Sequence, residues 1–94
     1  MSDLEQYQNA IIPVLKRHLI KRAAIFGSFA KGDSNESSDV DLLIEPGVGF
    51  TFFSLLNLEE EISQLLNRKV DLVEYSAIKP SIKEEVLLSA ITIL

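Results

Sequence analysis

Two aspartates one residue apart, Asp39 and Asp41, are the residues of this sequence best suited to chemistry. The segment from Asp39 to Ile44 reads as a strand, and residues i and i+2 of a strand project to the same face. Two unpaired carboxylates this close repel one another, so we expect a cation between them. Mg²⁺ is the natural candidate, because it prefers oxygen ligands and often joins carboxylates to substrate phosphates.

A glycine-containing turn precedes the aspartates and supplies a second feature. Ala23 to Phe26 reads as a short apolar strand that runs into Gly27-Ser28. A strand that ends in Gly-Ser and turns into a helix presents free backbone N–H groups, which suit phosphate oxygens. The turn and the carboxylate pair together predict a site that handles nucleotides.

Two other phosphate-binding motifs do not match. A P-loop needs Lys-Ser or Lys-Thr after its second glycine, but Gly32 is followed by Asp33, and an aspartate there would repel phosphate. The Gly-x-Gly-x-x-Gly of a dinucleotide-binding turn is absent. Capping or exposed carboxylates near a strand start remain the alternative for Asp39 and Asp41, and a helix N-cap is compatible with phosphate binding for Ser28.

Three motifs in order resemble the minimal nucleotidyltransferases of the DNA polymerase beta superfamily. They are Gly-Ser-x3-Gly ending at Gly32, Asp-x-Asp-Leu-Leu beginning at Asp39, and a later strand that carries Asp71. Members of that superfamily have a third carboxylate on such a strand, although a polar residue on a half-exposed strand is also common. The resemblance runs from about Arg22 to the C-terminal helix, which is most of the chain.

The resemblance implies a role for each carboxylate. Asp39, Asp41 and Asp71 would be catalytic and would hold two Mg²⁺ ions, one of which bridges the triphosphate of ATP or another NTP. Asp71 would also help to deprotonate an acceptor hydroxyl for in-line attack on the α-phosphorus. Positioning and charge neutralisation carry such a reaction, with little covalent work by the protein.

The nucleotide-binding residues implied by the resemblance are Gly27, Ser28 and Lys31. One departure from the family pattern lies between them. Many relatives have a basic residue directly after Gly-Ser, whereas this chain has Phe29. Lys31 is then the cation of the loop, and a weaker triphosphate affinity or a slower turnover would follow.

Small stand-alone members of the family are often antitoxins encoded beside a HEPN-domain toxin, which is typically a ribonuclease. The implied function is transfer of AMP from ATP to a hydroxyl of that partner protein. The alternative is a non-catalytic module of the same fold that masks its partner by forming a complex. An aminoglycoside-type enzyme is disfavoured because a second domain for the drug is missing. The acceptor group, the preferred base and the assembly as a homo- or hetero-oligomer stay open.

Composition limits the remaining classes of function. The 94 residues predict one small domain, 1–94, and 47% apolar and 24% charged residues are ordinary for a globular fold. The formal net charge of −5 argues against direct nucleic-acid binding. No apolar run approaches the roughly 18 residues of a membrane span, cysteines are absent, and the acidic N-terminus lacks a signal peptide. A cytoplasmic protein is expected.

The predicted elements form an α/β domain, comparable to the palm of polymerase beta, with a mixed sheet and helices mostly on one face. An amphipathic helix should begin at about Asp3, and Pro13 should kink or interrupt it. A second helix should follow Thr51 as its N-cap and end near Asn67. Pro80 should open a last helix with a stripe of Ile82, Val86 and Ala90, before a short final strand from Ile91 to Leu94.

Overall fold

The computed structural model describes residues 3–27 and 39–94 of the chain. The roles expected of Ser28 and Lys31, and the departure at Phe29, lie outside the described residues. Three helices, a short 3-10 turn and four strands are present in the described ranges. In chain order they are α1 (Asp3–Arg17), β1 (Arg22–Phe26), β2 (Val40–Glu45), α2 (Phe52–Leu66), β3 (Val70–Glu74), the 3-10 turn (Tyr75–Ala77), α3 (Pro80–Ser89) and β4 (Ile91–Thr92).

The strands form one sheet in the order β3-β2-β1-β4. Strands β2 and β3 run parallel, while β1 is antiparallel to both β2 and β4. The prediction of a mixed sheet is therefore confirmed. A parallel pair needs a crossover connection, and α2 supplies it between β2 and β3.

One face of the sheet forms the hydrophobic core with α1 and α2. Alternate residues of β2 point to this face, where Leu42 and Ile44 are fully buried. They pack in one cluster with Ile11 of α1 and with Leu58 and Ile62 of α2. This burial leaves the opposite face, which includes Asp41, free for other contacts.

Helix α3 lies on that opposite face. An apolar pocket is lined jointly by Leu43 and Val73 from the sheet and by Ile82 and Val86 from α3. Two described helices thus cover one face and the third covers part of the other, which confirms the prediction of helices mostly on one face. Within residues 3–27 and 39–94, no helix has the length and apolar character that a membrane crossing requires.

The caps of α2 follow the sequence prediction. Thr51 accepts a hydrogen bond from the backbone N–H of Ser54, and Ser54 accepts one from the backbone N–H of Thr51. At the other end Asn67 takes the left-handed conformation with φ 54°. Local hydrogen bonds and the left-handed turn therefore set where the crossover helix begins and ends.

Pro13 does not interrupt α1, so the prediction of an interruption is wrong. The helix is continuous from Asp3 to Arg17 with Pro13 inside it. Proline removes one backbone hydrogen bond of a helix, but Ile11 and Leu15 on either side are fully buried in the core. Tertiary packing of this stripe holds the helix together across the proline.

Candidate active site

Three side chains stand in one row across the open face of the sheet. In the strand register, Phe26 of β1 lies opposite Asp41 of β2, and Asp41 lies opposite Asp71 of β3. Residues paired in this way project to the same face. The structure therefore brings together Asp41 and Asp71, which the sequence places thirty residues apart.

Asp39 lies just before β2, which begins at Val40 rather than at Asp39 as predicted. Its carboxylate Oδ2 is 3.9 Å from Nζ of Lys69, the residue that precedes β3. The Lys69 side chain is 73% exposed and the Asp39 side chain 43%. An ion pair this exposed contributes little to stability, so Asp39 is not tied firmly to Lys69.

Negative charge accumulates at Asp41. Partial burial of this carboxyl raises its pKa, and the negative charges of Asp71 and Asp39 raise the pKa further. Ionised Asp41 is therefore unfavourable unless a positive charge comes close. The electrostatics of the row agree with the expectation of a cation beside these carboxylates.

Gly27 closes the row where β1 ends. Its φ of +74° is a conformation that L side chains rarely adopt. A Cβ at this position would also overlap Oδ2 of Asp41. Glycine is needed here both for the backbone turn and to leave room for the Asp41 carboxylate. The sequence predicted the turn but gave no sign of this contact.

The donor set fits a hard divalent cation in its chemistry, because all three predicted ligands are carboxylates. In their present positions they are not an assembled metal centre. Among residues 3–27 and 39–94, no three His, Cys, Asp or Glu side chains are grouped so as to hold a metal ion. Asp41 and Asp71 are adjacent in register, while Asp39 is directed to Lys69.

Glu59 is a residue near the site that sequence reasoning missed. Its Oε2 accepts a hydrogen bond of 3.3 Å from the backbone N–H of Leu72, the residue after Asp71 on β3. β3 is an edge strand, and a carboxylate on its free amide keeps another strand from pairing there. Three consecutive glutamates, Glu59 to Glu61, are typical of a solvated helix face, so the sequence pattern carries no signal for this role.

A mixed sheet with carboxylates on two neighbouring strands and a glycine turn at the end of a third strand agrees with the expected nucleotidyltransferase fold. The sequence profile of the family described as "Polymerase beta, Nucleotidyltransferase" matches residues 9–94. The chain belongs to this family.

Two similar proteins cover nearly the whole chain. One, from Methanocaldococcus jannaschii, is provisionally named a protein adenylyltransferase; it is 37% identical over 92 residues, 98% of this chain and 99% of the relative. The other is a solved structure provisionally described as a minimal nucleotidyltransferase. It has a TM-score of 0.82 and 34% identity, with 96% of this chain and 95% of that chain covered.

A more distant solved structure shares the fold. It is a complex of a tri-AMPylated Shewanella oneidensis HEPN toxin with an MNT antitoxin, matched with a TM-score of 0.75 and 17% identity. The match covers 97% of this chain and 71% of the other.

Proposed function

We propose that this chain transfers AMP from ATP to a hydroxyl group of a partner protein, and that it acts as the antitoxin of a HEPN toxin. The observation that carries the proposal is the row formed by Asp41 and Asp71 with Gly27 directly against the Asp41 carboxylate. This row combines a negative site that favours a cation with a glycine at the strand end, where the lack of a side chain would let phosphate come close to the backbone. Both are needed to bind a nucleoside triphosphate.

Asp39, Asp41 and Asp71 would hold two Mg²⁺ ions, which neutralise triphosphate charge and make the α-phosphorus more electrophilic. Gly27 would let the phosphates approach the backbone, and we assign Ser28 and Lys31 to the same phosphate cradle. Asp71 lies on the edge strand β3, so a large acceptor has room to approach it from the side. Asp71 accepts the proton of the attacking hydroxyl.

The proposed reaction forms one bond and breaks one. The acceptor oxygen bonds to the α-phosphorus, the bond from that phosphorus to the bridging oxygen breaks, and pyrophosphate leaves with the electron pair. The acceptor proton passes to Asp71 and then to water. The chain contributes positioning and charge, which is how most phosphoryl-transfer enzymes work.

The comparisons support the choice of a protein acceptor. A relative 37% identical over 98% of the chain carries the name protein adenylyltransferase. The same fold occurs in a complex with a HEPN toxin that carries AMP. The net charge of −5 opposes a nucleic-acid acceptor, because that binding depends on neutralising phosphates with basic residues. We propose that this chain and its partner toxin act in the cytoplasm.

A second function, masking of the toxin without chemistry, is favoured by one observation. Apolar side chains are exposed on α2, where Phe52 is 67% exposed, Phe53 76% and Leu56 44%. Exposed aromatic residues of this kind suit a protein interface.

A toxicity assay with Asp41→Ala separates the two functions. If catalysis neutralises the toxin, this variant should bind the toxin but fail to protect cells at native expression. Glu60→Ala, an exposed acid on α2, should protect like the wild type and serves as the matched control. If masking is the mechanism, Asp41→Ala should protect fully, and Phe53→Ser should lose both binding and protection.

A further inference from the structure

An apolar pocket of about 300 Å³ lies between α3 and the open face of the sheet. Its side chains are apolar except for Lys79. The lining residues are Phe26, Leu43, Val73, Ala77, Ile78, Lys79, Ile82 and Val86. None of the residues of α3 is fully buried, and Ile82, which faces the pocket, is 46% exposed, so solvent reaches the α3 side of the pocket.

The pocket adjoins the carboxylate row. Phe26, which lines it, is the register partner of Asp41. Leu43 and Val73 follow Asp41 and Asp71 by two residues and therefore lie on the same face, one step further along the sheet. A ligand with its charged end at the carboxylates would have its other end at this pocket.

We infer that this pocket takes the base of the nucleotide, an inference that rests on the proposed function. Ligand pockets are typically apolar clefts of about 300–1,000 Å³ with few polar groups. A purine ring is flat and largely apolar on its faces, and Phe26 offers an aromatic ring against which a base stacks. The triphosphate then lies at Gly27 and the carboxylates, and the base lies under α3.

Calorimetry in the presence of Mg²⁺ compares the binding of two probes, ATP and inorganic tripolyphosphate. Tripolyphosphate has the phosphates of ATP but neither its ribose nor its base, so wild type should bind ATP more tightly, and the pocket-filling variants test the contribution of the base. Val86→Phe fills the pocket from α3 and should weaken ATP binding by about tenfold or more, the order that base stacking contributes. The same variant should leave tripolyphosphate binding within about twofold, because the change lies away from the carboxylates.

Two further variants make the result decisive. Leu88→Phe places the same aromatic side chain on the outer side of α3, where Leu88 is 81% exposed, and should change neither affinity. Ala77→Leu fills the pocket from an exposed position on the 3-10 turn. It should show the same selective loss of ATP binding. Circular dichroism would show whether Val86→Phe folds, and Ala77→Leu carries the test if it does not.

The outcomes separate this inference from the proposed function. If wild type binds neither probe, both fail. If wild type binds both probes and the pocket-filling variants bind ATP normally, the nucleotide site stands and the base lies elsewhere. Normal ATP affinity with lost transfer to the partner protein would assign the pocket to the acceptor and overturn the inference.

Discussion

Substitution of Gly27 by alanine tests the contact on which the candidate site is built. A Cβ at Gly27 would overlap Oδ2 of Asp41, and the backbone there has φ +74°. Gly49 offers a matched control, because its φ is +86° and a Cβ would meet no atom within 4 Å. Gly27→Ala thus combines backbone strain with a displaced carboxylate, whereas Gly49→Ala has the strain alone.

The two costs have different sizes. The left-handed conformation destabilises a residue with a Cβ by about 1–2 kcal/mol. Replacing glycine by alanine also reduces the conformational freedom of the unfolded chain, which offsets about 0.4–1 kcal/mol of that loss. These two contributions apply to both glycines. Moving the Asp41 side chain off its rotamer adds about 0.5–1.5 kcal/mol at Gly27 only. We expect Gly27→Ala to lower the free energy of unfolding by about 0.5–3 kcal/mol, more than Gly49→Ala by that last amount.

Urea denaturation at neutral pH without metal measures these free energies, with the m-value as a check that unfolding stays two-state. The same two changes in an Asp41→Ala background complete the comparison. Because that background removes the overlapping oxygen, Gly27→Ala and Gly49→Ala should then cost the same. Calorimetry with ATP and Mg²⁺ gives the functional readout, in which Gly27→Ala should lose affinity and Gly49→Ala should keep it.

Equal losses of unfolding free energy for Gly27→Ala and Gly49→Ala in the wild-type background would contradict this expectation. They would show that the Asp41 carboxylate does not occupy the space over Gly27. A cost at Gly27 that still exceeds the cost at Gly49 in the Asp41→Ala background would likewise assign the excess to the turn itself.

Three further predictions concern single side chains. Burial and two neighbouring aspartates raise the pKa of Asp41 in the folded protein, so ionisation of Asp41 lowers stability as pH rises through that raised pKa. Asp41→Asn without metal should therefore be more stable than wild type at neutral pH. Unfolding measured as a function of pH should show that this gain vanishes below the ordinary pKa of 3.8. Glu59→Ala removes the acceptor of the Leu72 N–H and should lower the free energy of unfolding by about 0.5–1.5 kcal/mol. The control Glu60→Ala should lower it by about 0.5 kcal/mol or less. Equal losses of stability in the two variants would contradict the contact between Glu59 and the edge strand. Thr51→Ala should cost about 0.5–2 kcal/mol through loss of its cap, and an unchanged urea midpoint would contradict that.

The faces of Asp41 and Asp71 were predictable, but their pairing was not. Alternation along a strand puts Asp41 opposite to Val40 and Leu42, and Asp71 opposite to Val70 and Leu72. Which residue of β3 stands beside Asp41 depends on the register of two strands that α2 separates in sequence. That register follows from burial of both strands against the core, so it requires the tertiary structure.

Local signals succeeded where the chemistry is local. The cap at Thr51, the end at Asn67 and the start of the last helix at Pro80 each depend on neighbouring residues alone, and all three are confirmed. The interruption at Pro13 was wrong because distant core residues hold α1 together. The contact of Gly27 with Asp41 joins residues 14 positions apart in the sequence and left no local pattern.

The last helix shows a different limit of periodicity. The stripe of Ile82, Val86 and Ala90 indicates a face, and Ile82 and Val86 do turn towards the sheet. How closely that face packs is not encoded in its spacing. Ile82 is 46% exposed, and no residue of α3 is fully buried. The space that results is the pocket that we assign to the base.

Intact mass spectrometry of the partner toxin tests directly whether this chain transfers AMP to it. Wild-type chain, ATP, Mg²⁺ and purified HEPN toxin should give a toxin heavier by one or more AMP groups. Omission of Mg²⁺ or use of Asp41→Ala should abolish the increase, while Glu60→Ala should keep it. An unmodified toxin that the wild-type chain nevertheless binds and inhibits, with ATP and Mg²⁺ present, would contradict the account and identify a masking protein.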